Sequence, residues 1–171
     1  MKKNNDILNL EIGDLVVYPT YGVGQIEEFD SHEIDGDTHN FVMINFKQDK
    51  MKLRIPMEKT AQSGLRKLSN KNRLSKALDV LKEKPTLKKD MWIKRAKEYE
   101  KNINSGDPVS IAEVVRDLHK DQDSLEQQSY SERQIYLTAL NRLSNEYAAV
   151  ENIEKKMAKD KLEKLLNSDH L

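Results

Sequence analysis

Between Ser63 and Leu74 the spacing of apolar residues changes period, and this switch constrains the fold more than any other feature of the chain. Before it, apolar residues come in short runs with period two. Met51, Leu53 and Ile55 alternate with Lys52 and Arg54, which puts the two sets on opposite faces of a sheet. Leu15 to Tyr18, ended by Pro19, reads as another strand, as do the run from Gly22 to Ile26 and the run from Phe41 to Phe46. Asp35-Gly36 predicts a tight hairpin, because a type I′ turn needs positive φ at both central residues. About five short strands with frequent turns predict a small twisted antiparallel barrel with usable edges. Gly22-Val23-Gly24 is too short to cradle a phosphate and is read as a place where the barrel bends or two backbones approach.

After Gly64 the period is helical. Leu74, Leu78 and Leu81 form one stripe, which Pro85 closes, and a second helix is expected near Leu87 to Ile103. Gly106 suits the residue after a helix end, Asp107 an N-cap and Pro108 the first helical position. Ile111, Val114, Val115 and Leu118 mark the third helix, followed by a polar stretch from Asp121 to Gln128. Ser129 with Glu132 is a capping box, opening a helix with the stripe Tyr136, Leu140, Leu143, Tyr147 and Val150. One more amphipathic helix fits Glu151 to Leu166. The chain therefore reads as an α+β protein of two domains: a flexible lead over residues 1–10, a β domain over 11–64, a helical domain over 65–166 and a frayed tail over 167–171.

Charge separates the same regions. Lys and Arg balance Asp and Glu at 29 each, yet residues 1 to 65 carry 7 basic and 11 acidic side chains, residues 66 to 104 carry 13 and 5, and residues 105 to 171 carry 9 and 13. A net +8 between two segments of −4 points to a local polyanion contact rather than a uniformly basic coat. The absence of cysteine excludes disulfides, thiolate catalysis and cysteine zinc sites. His32, His39, His119 and His170 have no metal-ligand spacing, and no nucleophile, base and orienting group form a recognisable set. A non-enzyme without metal or cofactor is expected. No apolar run is long enough for a membrane span, and the first ten residues lack a signal-peptide core, so a cytoplasmic protein without membrane or small-molecule partners is expected.

The basic excess centres on Lys82 to Lys101, which holds Lys88, Lys89, Lys94, Arg95 and Lys97 around the single tryptophan, Trp92. On a helical wheel Lys94, Lys97 and Lys101 share one face; Trp92, Ala96, Tyr99 and Ile103 share the opposite one. A lysine face of this kind either tracks phosphates or is simply solvated. Trp92 likewise has two readings. Its place on the apolar stripe makes it a core residue, whereas its early position among cations suits an exposed ring that stacks on an unpaired base or wedges into the minor groove.

Several strings taken in order resemble the CarD/CdnL family of bacterial transcription regulators. Gly13-Asp14-Leu15-Val16-Val17-Tyr18-Pro19, Gly22-Val23-Gly24-Gln25-Ile26 and Leu53-Arg54-Ile55-Pro56 are similar to its N-terminal module, which transcription-repair coupling factors share. Met91-Trp92-Ile93-Lys94-Arg95-Ala96, Asn104-Ser105-Gly106-Asp107, Ile111 to Leu118 and Ser129 to Arg133 are similar to its helical domain. The resemblance implies a Tudor-like β domain that docks on the RNA polymerase β subunit. It also implies a helical domain at the upstream edge of the promoter bubble, stabilising the open complex during initiation. In that picture Trp92 is a minor-groove wedge, Lys94, Arg95, Lys97, Lys88 and Lys89 hold the DNA backbone, and Arg54, His32, Ile34 and Lys52 lie on the polymerase contact. The protein would act as a monomer, associated with the nucleoid through polymerase. Tyr21 and His32 depart from the family, standing where many members have histidine and some have arginine; His32 would give up a permanent charge at the contact and make it sensitive to pH. The competing reading is an adaptor that binds a protein through its β domain and does not touch DNA.

Overall fold

The computed structural model describes residues 9–86 and 88–168. The lead before Asn9, Leu87 and the last three residues lie outside the described residues. Two compact units divide the chain, Met1–Leu68 and Ser69–Leu171.

The first unit is one antiparallel sheet of β1 (Leu15–Tyr18), β2 (Gly22–Ile34), β3 (Asp37–Phe46), β4 (Met51–Pro56) and β5 (Arg66–Lys67), in the order β4-β3-β2-β1-β5. Strands β4 and β5 are its edges. Val16, Ile26, Val42, Ile44, Phe46, Ile55 and Leu65 form the core, as their alternation requires. Asp35 and Gly36 both take positive φ, 53° and 84°, and close the β2–β3 hairpin. Gly24 is a close approach: a Cβ there would lie 2.6 Å from Ile44 Cγ2 and 2.8 Å from the Phe46 ring. Strand β2 runs well past Ile26 to Ile34, because after an irregularity between Ile26 and Glu28 it continues as an exposed arm that needs no apolar alternation. The unit also extends past Gly64, since β5 pairs with β1 through Val16↔Lys67 and Val17↔Arg66.

The second unit contains α1 (Lys71–Leu81), α2 (Trp92–Asn104), α3 (Pro108–Leu118), α4 (Tyr130–Glu151) and α5 (Lys155–Leu166), with a 3-10 turn at Gln122–Gln127. Leu74, Leu81, Tyr99, Ile103, Val114, Val115, Leu118, Leu140, Leu143 and Leu162 are among its buried residues. Asn70, Asp107 and Ser129 cap α1, α3 and α4 by accepting backbone N–H groups of the first turn. Asp107 also accepts from Nε and Nη2 of Arg73, at 3.0 and 2.6 Å, which joins the start of α3 to α1. Asn152, with φ 52°, stops α4 in the left-handed conformation. Helix α2 starts at Trp92 rather than near Leu87. Lys88 and Lys89 would place positive charge at the positive end of a longer helix dipole. No helix of the described residues is long and apolar enough to cross a membrane.

Candidate nucleic-acid interface and sheet-face site

The basic stretch resolves into two groups around the start of α2. Trp92 is half-buried at the end of the core stripe, with its ring centroid 6.4 Å from that of Tyr99. The Arg95 guanidinium lies over both rings, 5.5 Å from the Trp92 centroid and 5.8 Å from that of Tyr99, and Nη2 donates to the Tyr99 hydroxyl at 3.4 Å. Lys88 donates to Glu98 at 2.7 Å and sits 5.2 Å from the Tyr99 centroid. Burial disfavours the Lys88 ammonium, but the hydrogen bond and charge of Glu98 outweigh it and hold its pKa above the ordinary lysine value. For Arg95 the Tyr99 hydroxyl is the leading cause of a raised pKa, with burial opposing and Glu132 and Asp117 assisting. Lys88 and Arg95 are thus occupied in bracing the aromatic pair.

Lys89, Lys94 and Lys97 form the other group and are exposed. Lys94 faces Asp90, just before the start of α2, at 3.3 Å, a solvated pair of the kind that contributes about 0 to 1 kcal/mol and exchanges readily for another anion. The Trp92 ring is on the core stripe, and its two neighbours are the residues that project. Met91 is 77% and Ile93 67% exposed, so Trp92 sits between two solvated apolar side chains at the tip of α2. From sequence, Met91 and Ile93 entered only as members of a motif string, with no role of their own. Their signal was available, since both fall off the stripe of Ala96, Tyr99 and Ile103.

On the β unit, register brings the four expected polymerase-contact residues to one face. Paired residues share a face, and Met43↔Arg54, Asn45↔Lys52, Asp30↔Phe41, His32↔His39 and Ile34↔Asp37 all belong to the face opposite the core. Asp30 accepts from Arg54 at 3.1 Å and lies 3.3 Å from His32 Nε2. Phe41 lies beneath both, its centroid 5.9 Å from the Arg54 guanidinium and 5.8 Å from the His32 ring. Lys52 pairs with Glu27 at 3.0 Å. Ile34, half-exposed, marks the far end of the arm. Asp30, Glu27 and Phe41 were missed from sequence, because their proximity to Arg54 and Lys52 depends on a register that no short motif encodes.

Comparison with known proteins bears on both units. Residues 10–69 match the family described as CarD-like/TRCF RID domain, and residues 76–163 match CarD, C-terminal domain. YdeB of Bacillus subtilis (strain 168), named as a candidate transcription factor, is 27% identical over 151 residues, covering 87% of this chain and 97% of YdeB. The 72-residue N-terminal domain of Myxococcus xanthus CarD, solved by NMR in solution, is 33% identical, with a TM-score of 0.31 over 39% of this chain and 89% of that domain. A CarD-like β domain followed by a CarD helical domain defines a class of transcription-associated regulator. The chain belongs to the CarD/CdnL family.

Proposed function

We propose that the protein docks on the RNA polymerase β subunit through its sheet face and the adjoining β4 edge, and that the tip of α2 contacts promoter DNA at the upstream edge of the bubble. The observation that carries the reading is the juxtaposition at this tip: Met91 and Ile93 exposed, Trp92 half-buried between them, and Lys89, Lys94 and Lys97 exposed around it. Lysines that neutralise phosphates release counterions and fix position without reading sequence. An apolar tip gains most where bases are already unstacked, so it binds the open state better than the closed one. Only that difference shifts the equilibrium; about 1.4 kcal/mol of it moves open against closed tenfold. Bracing by Arg95 and Tyr99 suits Trp92 to this role, because a ring held in place loses little rotamer freedom on contact. The protein then acts as a cytoplasmic, non-enzymatic monomer recruited to the nucleoid by polymerase, with weak and salt-sensitive affinity for free DNA.

The test is the dissociation lifetime of open complexes formed by cognate polymerase on a ribosomal promoter, without factor and with saturating wild type or Trp92→Ala. The expected result is a longer lifetime that Trp92→Ala abolishes while remaining folded and bound to polymerase. An unchanged lifetime with wild type would sink the proposal and leave an adaptor; full activity of Trp92→Ala would make the ring a core residue only.

A further inference from the structure

The stretch between α1 and α2 carries Lys84, Lys88 and Lys89 and leads straight into Met91 and Trp92. Its described residues are in neither helix nor strand, and most are exposed. Helix α2 opens on Met91 without a side-chain cap, so no capping hydrogen bond fixes where it begins. Lys88 ties the later part of the stretch to α2 through Glu98 and Tyr99, and the last turn of α3 holds its earlier part. Arg116, its side chain 10% exposed, donates from Nη1 to Glu83 at 2.9 Å, from Nη2 to the Thr86 hydroxyl at 3.2 Å and from Nε to Asp117 at 2.9 Å. Asp117, 3% exposed, accepts the Thr86 backbone N–H at 2.9 Å through the same oxygen.

We infer that Arg116 and Asp117 are positioning residues, which clamp the α1–α2 stretch onto α3 and thereby set where the tip of α2 meets DNA. The inference rests on the DNA-contact reading above. Two considerations separate this role from ordinary core closure. Helix α3 already buries Ile111, Val114, Val115 and Leu118, and a buried ion pair is weak evidence for stability, since apolar replacements of similar volume are often neutral or stabilising. The guanidinium fork also reaches three acceptors in different directions, which a lysine ammonium on its flexible stem does not reproduce. The pair therefore specifies the path of a stretch whose described residues have no regular structure.

Trp92 is the single tryptophan, so its fluorescence reports the tip without a label. Two full-length variants test the clamp. Arg116→Met/Asp117→Leu removes it from α3 with no change in net charge; Glu83→Ala/Thr86→Ala removes its partners at exposed positions and leaves α3 untouched, which keeps the test alive if the first variant fails to fold. Both are expected to increase acrylamide quenching of Trp92 well below the unfolding temperature and to shorten the open-complex lifetime about threefold to tenfold, within the range over which distant contacts modulate coupling. Arg116→Lys should behave like them despite its retained charge, and polymerase affinity should stay at the wild-type value. Folded variants with wild-type quenching and lifetime overturn the inference, and a lowered melting temperature with those two unchanged assigns the pair to core closure alone. Trp92→Ala and Lys94→Glu/Lys97→Glu run alongside: if neither alters the lifetime, the DNA reading has failed, and quenching by itself decides whether the clamp positions the tip.

Discussion

On the sheet face Arg54 and Lys52 each meet a carboxylate, Asp30 at 3.1 Å and Glu27 at 3.0 Å, whereas at the tip of α2 Lys89 and Lys97 are exposed and Lys94 has only a solvated pairing with Asp90. The sheet fixes its pairs by strand register, so charges there are arranged in a pattern with little net surplus. The helix tip instead keeps exchangeable charge next to Met91 and Ile93. A patterned face suits a partner with a complementary surface, while surplus cations beside apolar side chains suit a polyanion whose bases are coming unstacked. The difference predicts a steep salt dependence for the DNA contact and a shallow one for the protein contact.

Folding defects should sort by unit, which gives the largest expected effects. Leu140, 1% exposed in the helical core, should cost about 2 to 5 kcal/mol when changed to alanine, read by denaturant unfolding monitored at Trp92. Gly24→Ala should destabilise the β unit by about 1 to 3 kcal/mol, because its Cβ would press on Ile44 and Phe46. That variant is expected to lose β-subunit binding while its Trp92 emission and free-DNA affinity remain normal. A changed Trp92 signal in Gly24→Ala would break the separation between the two surfaces.

Charge changes sharpen the same contrast. Lys94→Glu/Lys97→Glu should flatten the dependence of log K for DNA on log salt by roughly one unit per lost phosphate contact and leave polymerase binding intact. If the slope is unaltered, the lysines are solvated surface and the α2 tip loses its electrostatic argument. Asp30→Asn should have a smaller effect of the opposite kind. It frees Arg54 and His32 from their shared acceptor, so β-subunit affinity is expected to fall by less than about tenfold with no change in DNA binding. Equal affinity for wild type and variant would take Asp30 out of the contact.

Much of this organisation was legible in the chain. Period two and period 3.6 separate the units, Asp35-Gly36 gives the hairpin, and Asp107 and Ser129 give two helix starts because capping chemistry is local. The boundary slipped past Gly64 because β5 has only two residues, Arg66 and Lys67, and no apolar pattern. Helix α2 was expected too early because helical periodicity has no term for the cost of Lys88 and Lys89 at the positive end of a helix dipole. At the site, the cations were found by composition, but their division into bracing and exposed groups depends on Glu98, Tyr99 and Asp90 in three dimensions. Asp30 and Arg116 were missed for the same reason: their partners are distant in sequence or on another strand.

The smallest expected effect concerns Asp107, where capping and ion pairing meet in one carboxylate. Burial would raise its pKa, but the Arg73 hydrogen bond and charge, the Val109 N–H and the Ser110 hydroxyl together hold it below the ordinary aspartate value. A carboxyl depressed in the folded state adds stability that is complete above its unfolded pKa of about 3.9 and is lost as pH falls through the lower folded value. Asp107→Asn retains a good N-cap and removes the charge opposite Arg73. With both side chains substantially solvated, the loss at pH 7 should be at most about 1 kcal/mol. The acid limb of the stability curve should also become shallower below about pH 4, because the variant has no carboxylate to protonate there. Parallel acid limbs for wild type and variant, in urea titrations followed at Trp92, would mean that the Arg73 contact contributes only geometry to the start of α3.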